Sequence, residues 1–245
     1  QCDENFDFWL KTFSKRAIEN GISTETVNSV LMNAKFLPNV IKYDRYQPEF
    51  YEDTNTYINK RANKKRVQQG IKLYNKHKTF INKIENEFSV EKELLLSLMA
   101  IETNYGKYVG KMDIISSLAT LSFDKRRSEF FSKELLTALK LIDMDLIDEK
   151  KLYGSWSGAF GYFQFMPSTI DNYAIDYDVN NVIELKTIKD SFASAANYIN
   201  KIGWKQNEPC FKRITLEDNI PIKYLNTSAK KIRHKRKLKF FKKFI

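Results

Sequence analysis

A mainly α-helical protein is predicted from three features of the 245-residue sequence. Apolar residues recur every three to four positions in several segments, the spacing of one face of a helix. Sustained two-residue alternation, the mark of a half-buried strand, is almost absent. No internal repeat of roughly 20–50 residues is visible, which excludes a solenoid built from helix pairs.

The elements follow in chain order. Phe6, Trp9, Leu10, Phe13 and Ile18 form one apolar stripe behind acidic residues that suit a helix start. The most apolar helix is EKELLLSLMAIETNYG, residues 91 to 106, with Leu94, Leu95, Leu98 and Ile101 expected in the core. Phe131, Leu135, Ala138, Leu139 and Ile142 fall at i, i+4, i+7, i+8 and i+11 of a third helix. Asp190 is expected to cap a helix carrying Phe192, Ala195, Ala196, Ile199 and Ile202, with Gly203 as its stop. The best strand candidate, CFKRITL (210 to 216), is a poor one.

Hydrophobic residues make up 42% of the chain and aromatics 14%, which excludes an intrinsically disordered protein. No run approaches the roughly 18 apolar residues of a membrane-spanning helix. Forty-one Lys and Arg against thirty Asp and Glu leave a net charge of +11, implying an anionic partner: nucleic acid, a membrane surface or a cell-wall polymer. Part of the excess is local, because nine of residues 230–245 are Lys or Arg. Residues 229–245 therefore read as a basic tail, either a solvated helix or a contact for an anionic wall or membrane surface. The chain begins Gln1-Cys2, as a processed export product would, and a cysteine in second place argues against a lipid anchor. Cys2 and Cys210 are the only cysteines; they would form one disulfide in an exported protein and two free thiols in a cytosolic one.

Glu102 follows Leu98 by four positions and Leu95 by seven, so it projects from the apolar face of its helix. Desolvation there raises a carboxyl pKa, which is what a general acid needs near neutral pH. The alternative is a carboxylate near a helix end that simply reaches solvent. Gly106, Gly110, Gly154, Gly158 and Gly161 are five of the eight glycines, three of them crowded among aromatics in GSWSGAFGYFQFMPS (154 to 168). Glycine allows close backbone approach, so this segment suits either a groove that grips a polymer or a tight helix crossing.

Several of these stretches share one order. IETNYGKYVGKMDIISSLATLSF, Arg126-Arg127, GSWSGAFGYFQFMPS and ANYINKIGW (196 to 204) follow NFDFWLKTF near residue 5 and DRYQPEF at 44 to 50. Together they resemble the lytic murein transglycosylases of the membrane-bound B type, over most of the chain to about residue 216. The resemblance implies a lysozyme-like helical catalytic domain at 1–228, with additional N-terminal helices (1–85), a core (86–216) and the tail at 229–245. It implies cleavage of peptidoglycan glycan strands between N-acetylmuramic acid and N-acetylglucosamine, leaving 1,6-anhydro ends. Glu102 matches the single catalytic acid. Ser155, Gln164, Tyr162, Tyr198 and Tyr57 match sugar contacts, and Arg126 and Arg127 match basic residues toward the peptide-bearing side. No cofactor is required, nucleic acid is not the expected partner, and a monomer is the default. The location implied is the periplasm after removal of a signal peptide, with outer-membrane association as an extension of it.

The chemistry is consistent with one acid. Ordinary glycosidases place two carboxyls about 5–5.5 Å or roughly 6.5–9.5 Å apart, whereas residues 154–168 contain none. Asp113 and Asp124, the nearest acids in sequence, are expected to be structural. A lysozyme-type hydrolase, which would need a placed second carboxylate, is one competing reading. A non-catalytic wall- or nucleic-acid-binding protein that uses the basic tail is another. DYDVNNVIELKTIKD (176 to 190) resembles the EF-hand-like loop of some family members. Asp176, Asp178, Asn180, the Val182 carbonyl and Asp190 would hold a structural calcium ion, with Asn181 in place of Gly and Thr187 in place of Glu. The alternative is an acidic surface turn that ends in a helix cap. The Asn-Phe and Tyr-Asn-x-Ser segment usual beyond this point in the family is not found, a departure that bears on activity more than on fold.

Overall fold

Helix α1 (Cys2–Glu19) buries Phe6, Leu10, Phe13 and Ala17 along one face. Its stripe turns inward at Ala17, while Ile18, expected in the core, is exposed. The structure, a computed structural model, describes residues 2–46, 52–208, 215, 220–224 and 237–242. The pairing of Cys2 with Cys210, the strand candidate at 210–216 and most of the basic tail lie outside the described residues.

Helices α2 (Thr24–Ser29) and α3 (Pro38–Arg45) complete an N-terminal layer with α1, and α1 and α3 both rest on α8 (Ile114–Phe123). Every residue of α8 from Ile114 to Ser122 is buried, as expected of a helix apolar nearly all round. Its hydroxyls satisfy the chain crossing it: Ser116 Oγ accepts from Lys35 N at 2.9 Å and Thr120 Oγ1 from Leu37 N at 3.0 Å. Helix α9 (Ser128–Asp143) packs along α8, and the five stripe residues Phe131, Leu135, Ala138, Leu139 and Ile142 are all buried.

Helices α4 (Thr54–Arg61), α5 (Lys64–Lys76) and α6 (Lys78–Phe88) lead into α7 (Lys92–Thr103), the helix of Glu102. Helix α6 runs through the expected boundary at 85/86, and one hydrophobic cluster extends from Phe6 to Ala196. The N-terminal helices and the core thus share a single interior. The described strands are one two-residue pair, β1 (Met112–Asp113) against β2 (Tyr153–Gly154), antiparallel with Met112 opposite Gly154. Helix α10 (Pro167–Tyr173) lies on α9, and α11 (Ile188–Lys201) joins α10 to α6. In the tail, the described residues include a short helix α12 (Leu238–Phe241), whose Phe240 ring lies 5.4 Å from that of Tyr224.

Two further expectations are corrected. Ile202 is exposed because it lies past the last turn of α11, and Ile101 because it lines a surface hollow with Val67, although Ala100 and Thr103 on either side of it are buried. Asp190 is not the cap of α11, whose N-cap position is held by Thr187. It sits inside the first turn, fully buried, and accepts hydrogen bonds from Tyr177 N (2.9 Å) and Glu184 N (2.8 Å) of the preceding loop.

Candidate active site

Helix α7 ends one residue after Glu102, and the backbone then runs through three left-handed residues, Asn104 (φ 49°), Tyr105 (φ 58°) and Gly106 (φ 80°). A left-handed tyrosine needs its surroundings to hold it. Its hydroxyl donates to Arg66 O at 2.9 Å, and its ring lies flush on Gly70 of α5. Thr103, fully buried, donates to Tyr162 O at 2.8 Å and accepts from Gly106 N at 3.0 Å. The helix end that carries Glu102 is therefore tied directly to segment 154–168. Thr103 escaped the sequence reading; its only signal was its place beside the acid.

Glu102 opens into a hollow of about 240 Å3 whose walls include Leu98, Gln164, Phe165, Met166 and Tyr198. Leu98, assigned to the core, instead forms part of this wall and is half-buried. The Glu102 side chain is exposed to solvent at the mouth, as the alternative reading held. Its pKa is nonetheless raised above the ordinary glutamate value, because the surrounding protein strips part of the carboxylate's hydration. No described residue donates a hydrogen bond to it, and no second carboxylate among the described residues lines the hollow. Asp113 caps α8 by accepting from Ser116 N at 2.6 Å, and Asp124 pairs with Arg45 at 2.8 Å, so both do structural work.

Gln164 stands at φ 52° and donates through Nε2 to Gly161 O (2.9 Å) and Val109 O (3.3 Å). Those bonds orient the side chain within the hollow and leave its amide oxygen to accept from a ligand hydroxyl. Tyr198 on α11 packs edge-on against Phe165 at 5.6 Å and lies 5.0 Å from the Tyr173 ring. The glycines beneath have a measurable reason. Gly161 is left-handed (φ 78°), and a Cβ there would lie 2.5 Å from Leu185 Cβ and 2.6 Å from Leu185 O.

The other expected site residues lie outside this hollow. Ser155 Oγ accepts from Ala159 N at 3.0 Å and shares a bond with Ser157 Oγ, so it braces its own turn. The half-buried Tyr162 rests its ring on Gly106, and burial raises its pKa. Tyr57 lines a second hollow of about 190 Å3 with Arg61, Val67, Ile101 and Tyr105, its ring under the Arg61 guanidinium at 3.9 Å. Arg126 and Arg127 converge on Asp44, which is 1% exposed. Arg126 bonds both the Asp44 carboxylate (3.0 Å) and its carbonyl (2.6 Å). In this structure the arginine pair fastens α3 to the start of α9. Asp44→Ala is accordingly expected to lower unfolding stability by about 1–3 kcal/mol, read by urea denaturation; an unchanged midpoint would contradict that role.

The acidic loop comes together as expected. Carboxylate oxygens of Asp176, Asp178 and Asp190 lie within 4.8 Å of one another. Burial raises the Asp190 pKa, and the negative charges of Asp178 and Asp176 push it the same way, against the two amides it accepts from. Asn181 adopts the left-handed conformation (φ 72°) where an EF-hand has glycine. Asn180 Oδ1 accepts from Val182 N at 2.9 Å, so a cation would have to compete for that oxygen. The donor set fits a hard cation through three carboxylates, with Asn180 as a weaker fourth. Later in the same loop, Leu185 O accepts from Tyr162 N at 2.9 Å and Lys186 Nζ donates to Tyr153 O at 2.8 Å, which joins the loop to the segment beside Glu102.

Comparison with known proteins shows the family and the fold. The sequence profile described as the transglycosylase SLT domain matches residues 5–242. Membrane-bound lytic murein transglycosylase B of Escherichia coli (strain K12) is 37% identical over 143 residues, 58% of this chain and 40% of that protein. SltB3 of Pseudomonas aeruginosa, solved in complex with NAG-NAM-pentapeptide, superposes with a TM-score of 0.80 at 32% identity, covering 83% of this chain and 55% of that one. Lytic transglycosylase Slt35 of Escherichia coli, solved in complex with calcium, gives a TM-score of 0.72 at 31% identity, over 82% and 64% of the two chains. The chain thus spans between two fifths and two thirds of the length of these relatives.

Proposed function

The chain belongs to the transglycosylase SLT domain family, and from that membership we propose that it cleaves peptidoglycan glycan strands by lytic transglycosylation. The observation that carries the proposal is the solitary Glu102 carboxyl, raised in pKa at the mouth of a hollow whose described walls offer no second carboxylate. Glu102 in its acid form protonates the oxygen between N-acetylmuramic acid and N-acetylglucosamine, and the muramoyl C1–O bond breaks. The resulting carboxylate then takes the proton of the muramoyl 6-hydroxyl as that oxygen bonds to C1. A 1,6-anhydro ring forms, Glu102 regains its proton, and no water is consumed. The Gln164 amide oxygen and Tyr198 hold the sugar at this site, with Ser155, Tyr162 and Tyr57 extending the contacts along the strand.

Digestion in 18O-labelled water tests the reaction class. Lytic cleavage leaves the new muramoyl ends unlabelled, whereas a lysozyme-type hydrolase would place one labelled oxygen at C1 of each new reducing end and none on the N-acetylglucosamine end. A peptidoglycan substrate supports a periplasmic location, and the form proposed is a monomer. No described helix is long and apolar enough to cross a membrane.

The 176–190 loop is proposed to bind calcium through Asp176, Asp178 and Asp190, with Asn180 and the Val182 carbonyl completing the set. Bound calcium supplies positive charge that offsets the mutual repulsion of the three carboxylates. Saturating calcium is expected to raise the thermal midpoint by about 5 °C, an effect that Asp176→Asn with Asp178→Asn should abolish. An equal midpoint with calcium and with chelator would remove the site.

A further inference from the structure

Between Lys60 and Ile84 the chain carries nine Lys or Arg and not one Asp or Glu. Lys60 and Arg61 share one partner, the Glu52 carboxylate, at 2.5 and 2.8 Å. Lys64, Lys65, Lys72 and Lys76 of α5 are exposed and make no ion pair with the described residues. Lys65, Lys72 and Lys76 stand at i, i+7 and i+11, so they share one stripe along about 16 Å of helix. Acids on the neighbouring helix are engaged elsewhere, Glu85 by Lys92 at 2.8 Å and Glu87 by the Tyr177 hydroxyl at 2.6 Å. Like charges held this close repel one another, and an external polyanion relieves that repulsion.

The position of the stripe identifies the polyanion. The other face of α5 packs Leu73 and Tyr74 on the core, and the helix lies against α7, which carries Glu102. Exposed Val67 lines the hollow shared with Ile101, on the opposite side of the helix from the three lysines, and exposed Ile71 also lies off their stripe. A helix lying in a bilayer would carry a broad apolar face flanked by its cations. Here the lysines face water alone, on the outer flank of a helix that packs against the one carrying the acid. We infer that this flank of α5 is a second wall-binding surface, which takes the carboxylates of peptide stems on the murein network while Glu102 acts on a strand. The inference rests on the wall being the substrate.

The test measures retention on purified sacculi of two proteins, E102Q and E102Q carrying K65Q, K72Q and K76Q, neither of which needs to cleave. The triple replacement is expected to weaken retention about fivefold at low salt and to lose that difference near 0.5 M salt, where charges are screened within a few ångströms. Sacculi whose stems have been removed by an amidase should hold both proteins equally. With Glu102 intact, the triple variant should cleave a short stem-free glycan at the parental rate. Equal retention on intact sacculi would overturn the inference. So would a difference that survives on stem-free glycan, or a larger loss on anionic phospholipid vesicles than on sacculi. A protein with Glu102 intact that forms no anhydro ends would sink the enzymatic reading and leave this comparison standing.

Discussion

Glu102→Gln is expected to lower glycan cleavage by about 10²–10⁴-fold while making the folded protein more stable near neutral pH. The second effect follows from the sign of the pKa shift. Burial raises the folded-state pKa of Glu102, so between the unfolded and folded values the native state binds more protons than the unfolded chain. Stability therefore falls as pH rises through that window, and the loss is fully present above the folded pKa. Glutamine has no such penalty. Thermal melts of both proteins at acid and neutral pH should coincide more closely in acid and separate in favour of the variant as pH rises. The rate follows the same group: cleavage needs the acid form, so it persists above the ordinary glutamate range and declines as Glu102 ionises. A variant with parental turnover would place the acid elsewhere.

Gly161→Ala is the second large effect expected, and it acts on the fold and the site together. The residue is left-handed, and the added methyl would meet both the side chain and the backbone of Leu185. The conformational term is about 1–2 kcal/mol and the steric term about 1–3 kcal/mol, so the two together remove much of the margin of a marginally stable domain. The clash also displaces Leu185, whose carbonyl accepts from Tyr162 N, and the adjoining Gln164 would lose its anchor on the Gly161 carbonyl. Urea denaturation and glycan turnover should both fall. A variant melting within a degree of the parent would show that the 176–190 loop yields to segment 154–168.

The helices were legible because their signal is local. Phe131 through Ile142 are spaced for one face and are buried on one face. The stripes failed where packing stops or gives way to a hollow: Ile18 and Ile202 lie at the ends of their helices, whereas Leu98 and Ile101 line hollows beside buried neighbours, and periodicity carries no information on either. Glu102 was visible as an acid on an apolar helix, yet spacing alone could not separate a tuned acid from a solvated one. It is both solvent-open and shifted, a combination that depends on walls supplied by residues more than sixty positions away. The same distance hid the partner of the arginines. Arg126 and Arg127 fit the sequence pattern of the family, but their ligand, Asp44, lies 82 and 83 residues earlier. Asp190 looked like a helix cap from its neighbours, and became a loop anchor only when Tyr177 and Glu184 folded back onto it.

The central claim is that one carboxyl performs the whole reaction, and mass spectrometry of the muropeptides released from purified sacculi tests it most directly. The chain should release products ending in 1,6-anhydromuramic acid, and E102Q should release them at least about a hundredfold more slowly while remaining folded. Reducing ends from the parent protein would contradict the account, because they require a water molecule and a second group to activate it.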